Sequence, residues 1–408
     1  MRMDLRKCFV ITASVVLAIF INGCQGEEDS FSEEPLLDTI SVEFGNYEVL
    51  ASDLISEYEM VYLDSKDLLV GSVSRLYVND SLIVVADITR SRVFCFDRSG
   101  QMKFYIDKLG YGPEEYSQMK DVGVNFLDET IEVLALPSQA VVRYDLNTGE
   151  FLDQVKYKFW TSTFSPLQSG GRLFHHGTMP NYDIATKGDS LDAGVYVTDS
   201  ENNIKRTYIN RIDYGLDRIR HVTLRNAYPD YQSGVNYVPL YQNTIYKATA
   251  EGLIPMYNLD FGSNTSPKDF LLTFNGHYRE FPKFLRNSGY ANYISDFYES
   301  STHITFTFHS HRGYQKAVYD KQTGKSKAYR KFNRDNALIN VLPKGVYADY
   351  HISVASFESL DLRKRFFERA MPEEKRAENP EYQRLKSALD NNHGQNPILV
   401  FTKFKPIE

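Results

Sequence analysis

A strand, a short polar turn and a second strand recur along this chain of 408 residues, and the repeat limits the fold more than any other feature. Val93-Phe94-Cys95-Phe96 passes through Asp97-Arg98-Ser99-Gly100 into residues 101–106, and Val141-Val142-Arg143-Tyr144 passes through Asp145-Leu146-Asn147-Thr148-Gly149 into residues 150–155. The same pattern returns at 195–203, at 245–252 before 253–259, and at 318–324 before 325–329. All but the fourth turn start on Asp, and each closes on a Gly or Asn that can take a positive φ, the mark of a hairpin loop of about 3 to 5 residues. The closing positions are 100, 149, 203, 252 and 324. A step of roughly 50 residues is a propeller period, because four-stranded blades that cannot bury both faces alone must stack around an axis. The longer last interval holds Ser266-Pro267-Lys268-Asp269 before Phe270-Leu271-Leu272, which reads as an N-cap, a Pro at N1 and an acidic N3 opening a short helix, an insertion within the repeat.

Within the first unit the strands fall at 73–78, 82–86, 93–96 and 102–106, and within the second at 122–126, 130–135, 141–144 and 151–155. Their middle strands are apolar on both faces, as sheets packed between two neighbours require. The composition agrees: 29 Tyr and 26 Phe against one Trp, Trp160, favour strands over helices. Five turns mark five hairpins, and two strands are left over, Tyr58-Glu59-Met60-Val61-Tyr62-Leu63 near the start and Asn396 to Phe404 at the end. Pairing them completes a sixth blade and removes two exposed edges. The expected fold is therefore an all-β, six-bladed β-propeller over 53–408, closed by its N- and C-terminal strands, with small helical insertions. The largest is the charged stretch 361–392, broken at Pro372 and restarted by Asn379-Pro380, with Tyr382, Leu385 and Leu389 on one face of its second piece to pack on the propeller.

Residues 1–23 read as a secretion signal: a charged start, an uncharged run from Cys8 to Ile21, then Asn22-Gly23-Cys24. The run is about 14 residues, short of the roughly 20 that a helix needs to cross a membrane. Ile21-Asn22-Gly23-Cys24 resembles the bacterial lipoprotein signal, which implies a diacylglycerol thioether on Cys24 and anchorage by buried lipid chains; an ordinary signal peptide with a coincidental Cys is the alternative. Glu27, Glu28 and Asp29, in an acidic tether spanning 24–52, resemble the signal by which some Gram-negative bacteria send lipoproteins to the outer surface, where any solvated tether would also be acidic. Cys95 is then the sole thiol left in the folded part, flanked by Phe94 and Phe96, and reads as a small buried hydrophobe. With a net charge of −7 there is no basic excess to displace counterions, so nucleic acid is not an expected partner.

Leu109-Gly110-Tyr111-Gly112-Pro113-Glu114-Glu115-Tyr116, together with residues 55–71, Tyr237-Val238-Pro239, Thr244-Ile245-Tyr246 and Asn396-Pro397-Ile398-Leu399-Val400, resembles six-bladed NHL-like β-propeller lipoproteins. Glu114 stands where that family carries Gly. The resemblance implies the propeller and carries over no catalytic residue; the expected outer-membrane, cell-surface location follows from the lipoprotein and export-signal likenesses at Cys24 and 27–29. The paired glycines read as a tight connection between blades, since no helix follows them to cradle a phosphate.

Chemistry is thinly marked. His309 and His311 could share a metal ion from one strand face, or be solvated imidazoles at a strand end, and no cofactor is predicted. Arg218 and Arg220, with His221 and Arg225, make a local basic stretch able to grip a carboxylate or anionic sugar, or a solvated edge. Tyr228 and Tyr231, followed by Tyr237 and Tyr241, could stack on sugars or serve as strand packing. No nucleophile elbow, zinc-protease helix, EF-hand or P-loop occurs. The expected role is a non-enzymatic binding platform for an extracellular glycan or peptide, or a component of an outer-membrane uptake complex. The alternatives are a propeller hydrolase or lyase with its site in the central funnel, and a scaffold acting through 361–392.

Overall fold

The computed structural model of the chain describes residues 37–42, 44, 48–168, 170–175, 192–219, 225–333, 335–336, 338–339 and 342–408. Cys24, Glu27, Glu28, Asp29, His176, Arg220 and His221 lie outside them. The described part forms six antiparallel sheets in which four strands run side by side. The first sheet is Arg75–Val78, Leu82–Asp87, Arg92–Asp97 and Met102–Ile106; the second is Met119–Asn125, Thr130–Ala135, Ala140–Asp145 and Phe151–Lys156. The third is Thr163–Pro166, Arg172–His175, Ala193–Thr198 and Ile204–Asn210, and the fourth Ala227–Pro229, Val235–Tyr237, Thr244–Thr249 and Gly252–Asp260. The fifth is Asn292–Glu299, His303–Ser310, Gly313–Asp320 and Lys325–Tyr329. Each meander follows chain order, as hairpin connections demand.

The sixth sheet takes three strands from the C-terminal region, Gly345–Tyr347, Tyr350–Ala355 and Ile398–Phe404, and its outer strand, Ile55–Tyr62, from the start. Register runs from Ile398 opposite Tyr62 to Phe404 opposite Ile55. The two unpaired strands of the sequence thus close one sheet.

Burial explains why the repeat looks as it does. Every residue of Leu82–Asp87, Thr130–Ala135 and Ala193–Thr198 is buried, whereas outer strands such as Phe151–Lys156 alternate half-buried with exposed. Apolar side chains fill each gap between successive sheets: Val84 and Val93 with Val122 and Val133, Leu134 and Val141 with Phe164 and Phe174, Leu173 and Val197 with Val235 and Ala248. The series continues with Ile245 and Leu259 against Phe297 and Phe306, then Val318 and Tyr329 against Ile55 and Phe404, and Ile352 and Phe401 return to Ile83 and Phe94. A chain of contacts that returns to its first member is a propeller ring.

Three departures from the sequence reading have local causes. Within the expected tether, Asp38–Ser41 pairs in parallel with Gly252–Asp260, the outer strand of the fourth sheet, and Glu48–Leu50 pairs in parallel with Lys331–Asn333 as a separate two-stranded sheet. Ser266 does not cap a helix: its hydroxyl meets Asn243, and the helical turn begins later, as a 3₁₀ segment at Phe270–Thr273, with a full helix only at Phe281–Ser288. The large insertion starts earlier than charge alone shows, at Phe357–Ala370 with Ser356 accepting from the Ser359 N–H. It continues as Glu373–Glu378 and Pro380–Asp390, the last capped by Asn379 as its sequence requires. Leu385 and Ala388 are buried with Leu360 and Phe367 against Ile398 and Val400, which seats the insertion on the sixth sheet.

The Gly110–Gly112 connection lies between the first and second sheets. Neither glycine has a positive φ. Their role is close approach: Glu115 Oε2 accepts from Gly112 N–H at 2.7 Å, and a Cβ on Gly110 would sit 1.9 Å from that oxygen.

Candidate functional site

The inner strands carry polar groups to the ring axis. Arg75, opening the first sheet's inner strand, donates from Nε to Asp121 Oδ1 at 2.8 Å, while Asp121 Oδ2 accepts the Phe164 N–H at 3.2 Å. One carboxylate thus ties three sheets together. Burial works to lower the Arg75 pKa, but Asp121 outweighs it and the guanidinium stays firmly charged. Tyr77 donates its hydroxyl to the Val122 carbonyl, and Tyr228 donates to the Arg225 carbonyl and accepts the Asp296 N–H. Desolvation pushes the phenols of Tyr77, Tyr228 and Tyr298 above their usual range, so all three remain neutral. The axial void lined by Leu76, Tyr77, Val124, Phe126, Arg225 and Val346 is about 30 Å³. That admits a water or two, not a sugar or a peptide side chain.

Between the fourth and fifth sheets lies a second buried polar group. Glu299 accepts from Asn236 Nδ2, Tyr257 OH and Lys321 Nζ, each at 2.7 Å, while Asp230 pairs with Lys247. Burial alone would raise the Glu299 pKa, but these donors, led by Lys321, hold it below the ordinary glutamate value. The acids here are neutralised structural partners.

The roomy described cavity near the repeat's insertion is a cleft of about 380 Å³ on the fourth sheet. Three elements build it. Tyr214 comes from the connection entering the sheet, Tyr241, Gln242 and Asn243 from the turn joining its second and third strands, and Thr265 to Lys268 from the insertion; Thr244, Tyr246 and Asn258 form the floor. Asn243 Nδ2 donates to the Ser266 carbonyl at 3.0 Å and holds the two walls together. Tyr241 sits at φ +58°, a costly conformation for an aromatic residue, maintained by edge contacts to Phe281 at 5.3 Å. Gln242 Nε2 is buried without a hydrogen-bond partner among the described residues. Burial, then the nearness of Tyr214, raises the Tyr246 phenol above its ordinary value. Lys268 is the one charged residue among the described lining residues.

The structure separates the residues that sequence grouped. Arg218 donates to the Leu272 and Phe274 carbonyls and braces the insertion beneath the cleft. Tyr228 is buried at the axis, and Tyr231 lies on the opposite turn face with Lys321 Nζ 4.9 Å from its ring centre. His309 packs against Tyr293 and Tyr314, whereas the strand ends at Ser310 and His311 packs against Phe44. Among the described residues no group of three or more His, Cys, Asp or Glu side chains could hold a metal ion. Cys95 is fully buried, and desolvation pushes its thiol up to about 12. Of the cleft residues, sequence reasoning named Tyr241 as a possible stacking ring, Thr244 and Tyr246 only as family-like strand residues, and Ser266, Pro267 and Lys268 only as the opening of a helical insertion. Tyr214 and Gln242 carried no signal, because a turn and a blade connection meet there only in three dimensions.

The family described as "domain of unknown function (DUF4934)" matches residues 37–403. The chain belongs to this family. Its span begins at the parallel edge strand and ends within the closing strand, so the family unit is the whole ring. No curated protein matches the chain. Among solved structures, a protein of Bacteroides fragilis described as exported superposes with TM-score 0.68 at 20% identity, over 90% of this chain and all of that one. A DUF4221 member from Bacteroides vulgatus aligns with TM-score 0.47 at 11% identity, over 86% of this chain and 97% of that one. The first of these likenesses supports the fold alone.

Proposed function

We propose that the protein is a lipid-anchored, surface-displayed propeller that binds an extracellular ligand without transforming it. One observation carries the binding reading: the cleft on the fourth sheet is walled by tyrosine rings, amides and hydroxyls and has no acid among its described lining residues. Elsewhere several buried acids are held by cations, Asp121 by Arg75, Asp230 by Lys247 and Glu299 by Lys321, and buried Asp320 accepts backbone N–H groups. A hydrolase or lyase needs an acid and a base free to exchange protons at one cavity, and this arrangement favours recognition. Anchorage at Cys24 and display through Glu27, Glu28 and Asp29 rest on the sequence alone, and the exported description of the Bacteroides fragilis neighbour supports export only.

A glycan and peptide array probed with the mature chain, residues 25–408, tests the reading; a ligand should be retained unchanged, and turnover of the bound molecule would sink it. Mass spectrometry of the cell-derived protein should find a lipid-modified N-terminal Cys24, and protease shaving of intact cells should release fragments of the ring. A second reading, docking to an outer-membrane complex, is favoured by Leu362 and Phe366, 71% and 65% exposed one turn apart on the helix Phe357–Ala370. Leu362→Ser with Phe366→Ser should then lose a co-purifying envelope partner while the melting curve is kept.

A further inference from the structure

We infer that the cleft on the fourth sheet takes a neutral oligosaccharide, laid on the rings of Tyr214 and Tyr246. The inference rests on the binding reading above and assigns it a place and a ligand class. Four observations converge on it.

The first is chemical. A sugar presents C–H faces that pack on aromatic rings and hydroxyls that both donate and accept, so its site needs flat rings beside amides and hydroxyls. Tyr214 and Tyr246 supply the rings, Gln242, Asn243 and Asn258 the amides, and Thr244 and Thr265 the hydroxyls. The second is charge. With Lys268 alone among the described lining residues, nothing pairs with a cation and no guanidinium is present to fork onto a carboxylate, so neutral ligands fit best. Of the basic stretch that sequence singled out, the two described residues are engaged elsewhere, Arg218 on carbonyls of the insertion and Arg225 on the Ala227 carbonyl at the axis.

The third observation disfavours a peptide. Extended peptides commonly bind by adding a strand to an open sheet edge. Here the outer strand Gly252–Asp260 already pairs with Asp38–Ser41, from Asp38 opposite Tyr257 to Ser41 opposite Asp260. The edge beside the cleft is occupied by the protein's own chain. The fourth is an unmet need: Gln242 Nε2 lies buried with no partner among the described residues, in a turn where Tyr241 is held at positive φ. An unpaired buried donor is a cost that a ligand hydroxyl can offset once the Gln242 amide turns into the cleft it lines.

The test is calorimetric titration of the mature chain with neutral gluco-, manno- and xylo-oligosaccharides, with polygalacturonate and a mixed peptide pool as competing classes. Tyr214→Ala and Tyr246→Ala should each weaken a neutral oligosaccharide about three- to tenfold, while Tyr246→Phe keeps most of the affinity because the ring remains. Tyr111→Ala serves as control, since Tyr111 is 90% exposed on the Gly110–Gly112 connection far from the cleft in sequence and sheet. Unchanged melting of each variant excludes misfolding as the cause. Neutral binding that survives both alanine variants within about twofold would overturn the site and leave the binding reading standing. Preference for polygalacturonate or for peptides would overturn the ligand class, and no binding to any class would remove the binding reading as well.

Discussion

Asn396 offers the sharpest test of how the ring is held shut. It is fully buried just before the closing strand, and its side chain makes three bonds to the segment that follows the N-terminal strand. Nδ2 donates to the Leu63 carbonyl at 3.0 Å and to Ser65 Oγ at 2.8 Å, and Oδ1 accepts the Val70 N–H at 2.9 Å. In Asn396→Ala all three vanish. Each is worth about 0.5–1.5 kcal/mol net, and the orphaned Val70 N–H and Leu63 carbonyl add a desolvation cost of about 1–3 kcal/mol apiece if water cannot reach them. Allowing for relaxation, the expected loss is about 3–5 kcal/mol, which is large against the usual stability of a domain. The assay is guanidinium unfolding of the mature chain, read as a lower midpoint with an unchanged slope. Asn203→Ala is the control: it is exposed in a hairpin turn of the third sheet, away from the closure, its amide bonds Asp199 Oδ2 at 3.1 Å, and its loss should cost less than about 1 kcal/mol. Asn396→Asp should be at least as damaging at neutral pH, because it replaces the donor facing Leu63 with a negative oxygen. A loss below about 1 kcal/mol for Asn396→Ala, or one equal to the control, would refute the claim that these bonds latch the ring.

Three further outcomes are expected. Glu132 and Arg172 form a buried bidentate pair at 2.7 and 2.9 Å across the second and third sheets, so Glu132→Gln should cost about 3–5 kcal/mol in thermal or chemical unfolding, and Glu132→Leu with Arg172→Met should recover much of it. His351 is buried, donates to or accepts at Nε2 according to tautomer, and with the Tyr298 carbonyl at 3.2 Å must be the donor; desolvation pushes its pKa down to about 3. The unfolded chain takes up that proton near the ordinary histidine value of about 6.5 while the folded chain does not. Stability should therefore fall as pH drops from about 6.5 toward 3, and urea midpoints should show His351→Gln, which keeps a donor, to be less acid-sensitive than the parent. Gly100 takes φ +91° with the Tyr62 carbonyl oxygen 2.1 Å from where a Cβ would lie, whereas Gly324 takes φ +69° in open space; Gly100→Ala should lower the melting temperature well beyond Gly324→Ala.

Much of the ring was legible before any coordinates because its repeat is written in local chemistry. An Asp that bonds its own turn and a Gly that accepts positive φ are needed wherever a hairpin closes, and Asp97 with Gly100, or Asp145 with Gly149, do this in the structure. The run of buried residues from Leu82 to Asp87 marks a strand between two neighbours for the same reason, and the two partnerless strands at either end named each other as closure. Less legible were elements fixed by a remote partner. Ser266 looks like a helix cap until Asn243 claims its hydroxyl, and Asp38–Ser41 and Glu48–Leu50 look like solvated tether until the edge strand Gly252–Asp260 and the short strand Lys331–Asn333 offer them unpaired backbone groups.

The same division governs the site. Sequence alone determined which residue types were available, a tyrosine-rich acidic chain with scattered histidines and one short basic stretch, and it determined the hairpins that hold them. Which side chains share a cavity was decided by the tertiary structure. Tyr214, Gln242, Asn258 and Lys268 meet in one cleft although more than fifty residues separate the first from the last, whereas Tyr228 and Tyr231, three apart, end at the axis and on the turn face. Turn and strand preferences act over a few bonds, but a cavity is the space left after distant sheets have packed, and no local pattern encodes that space.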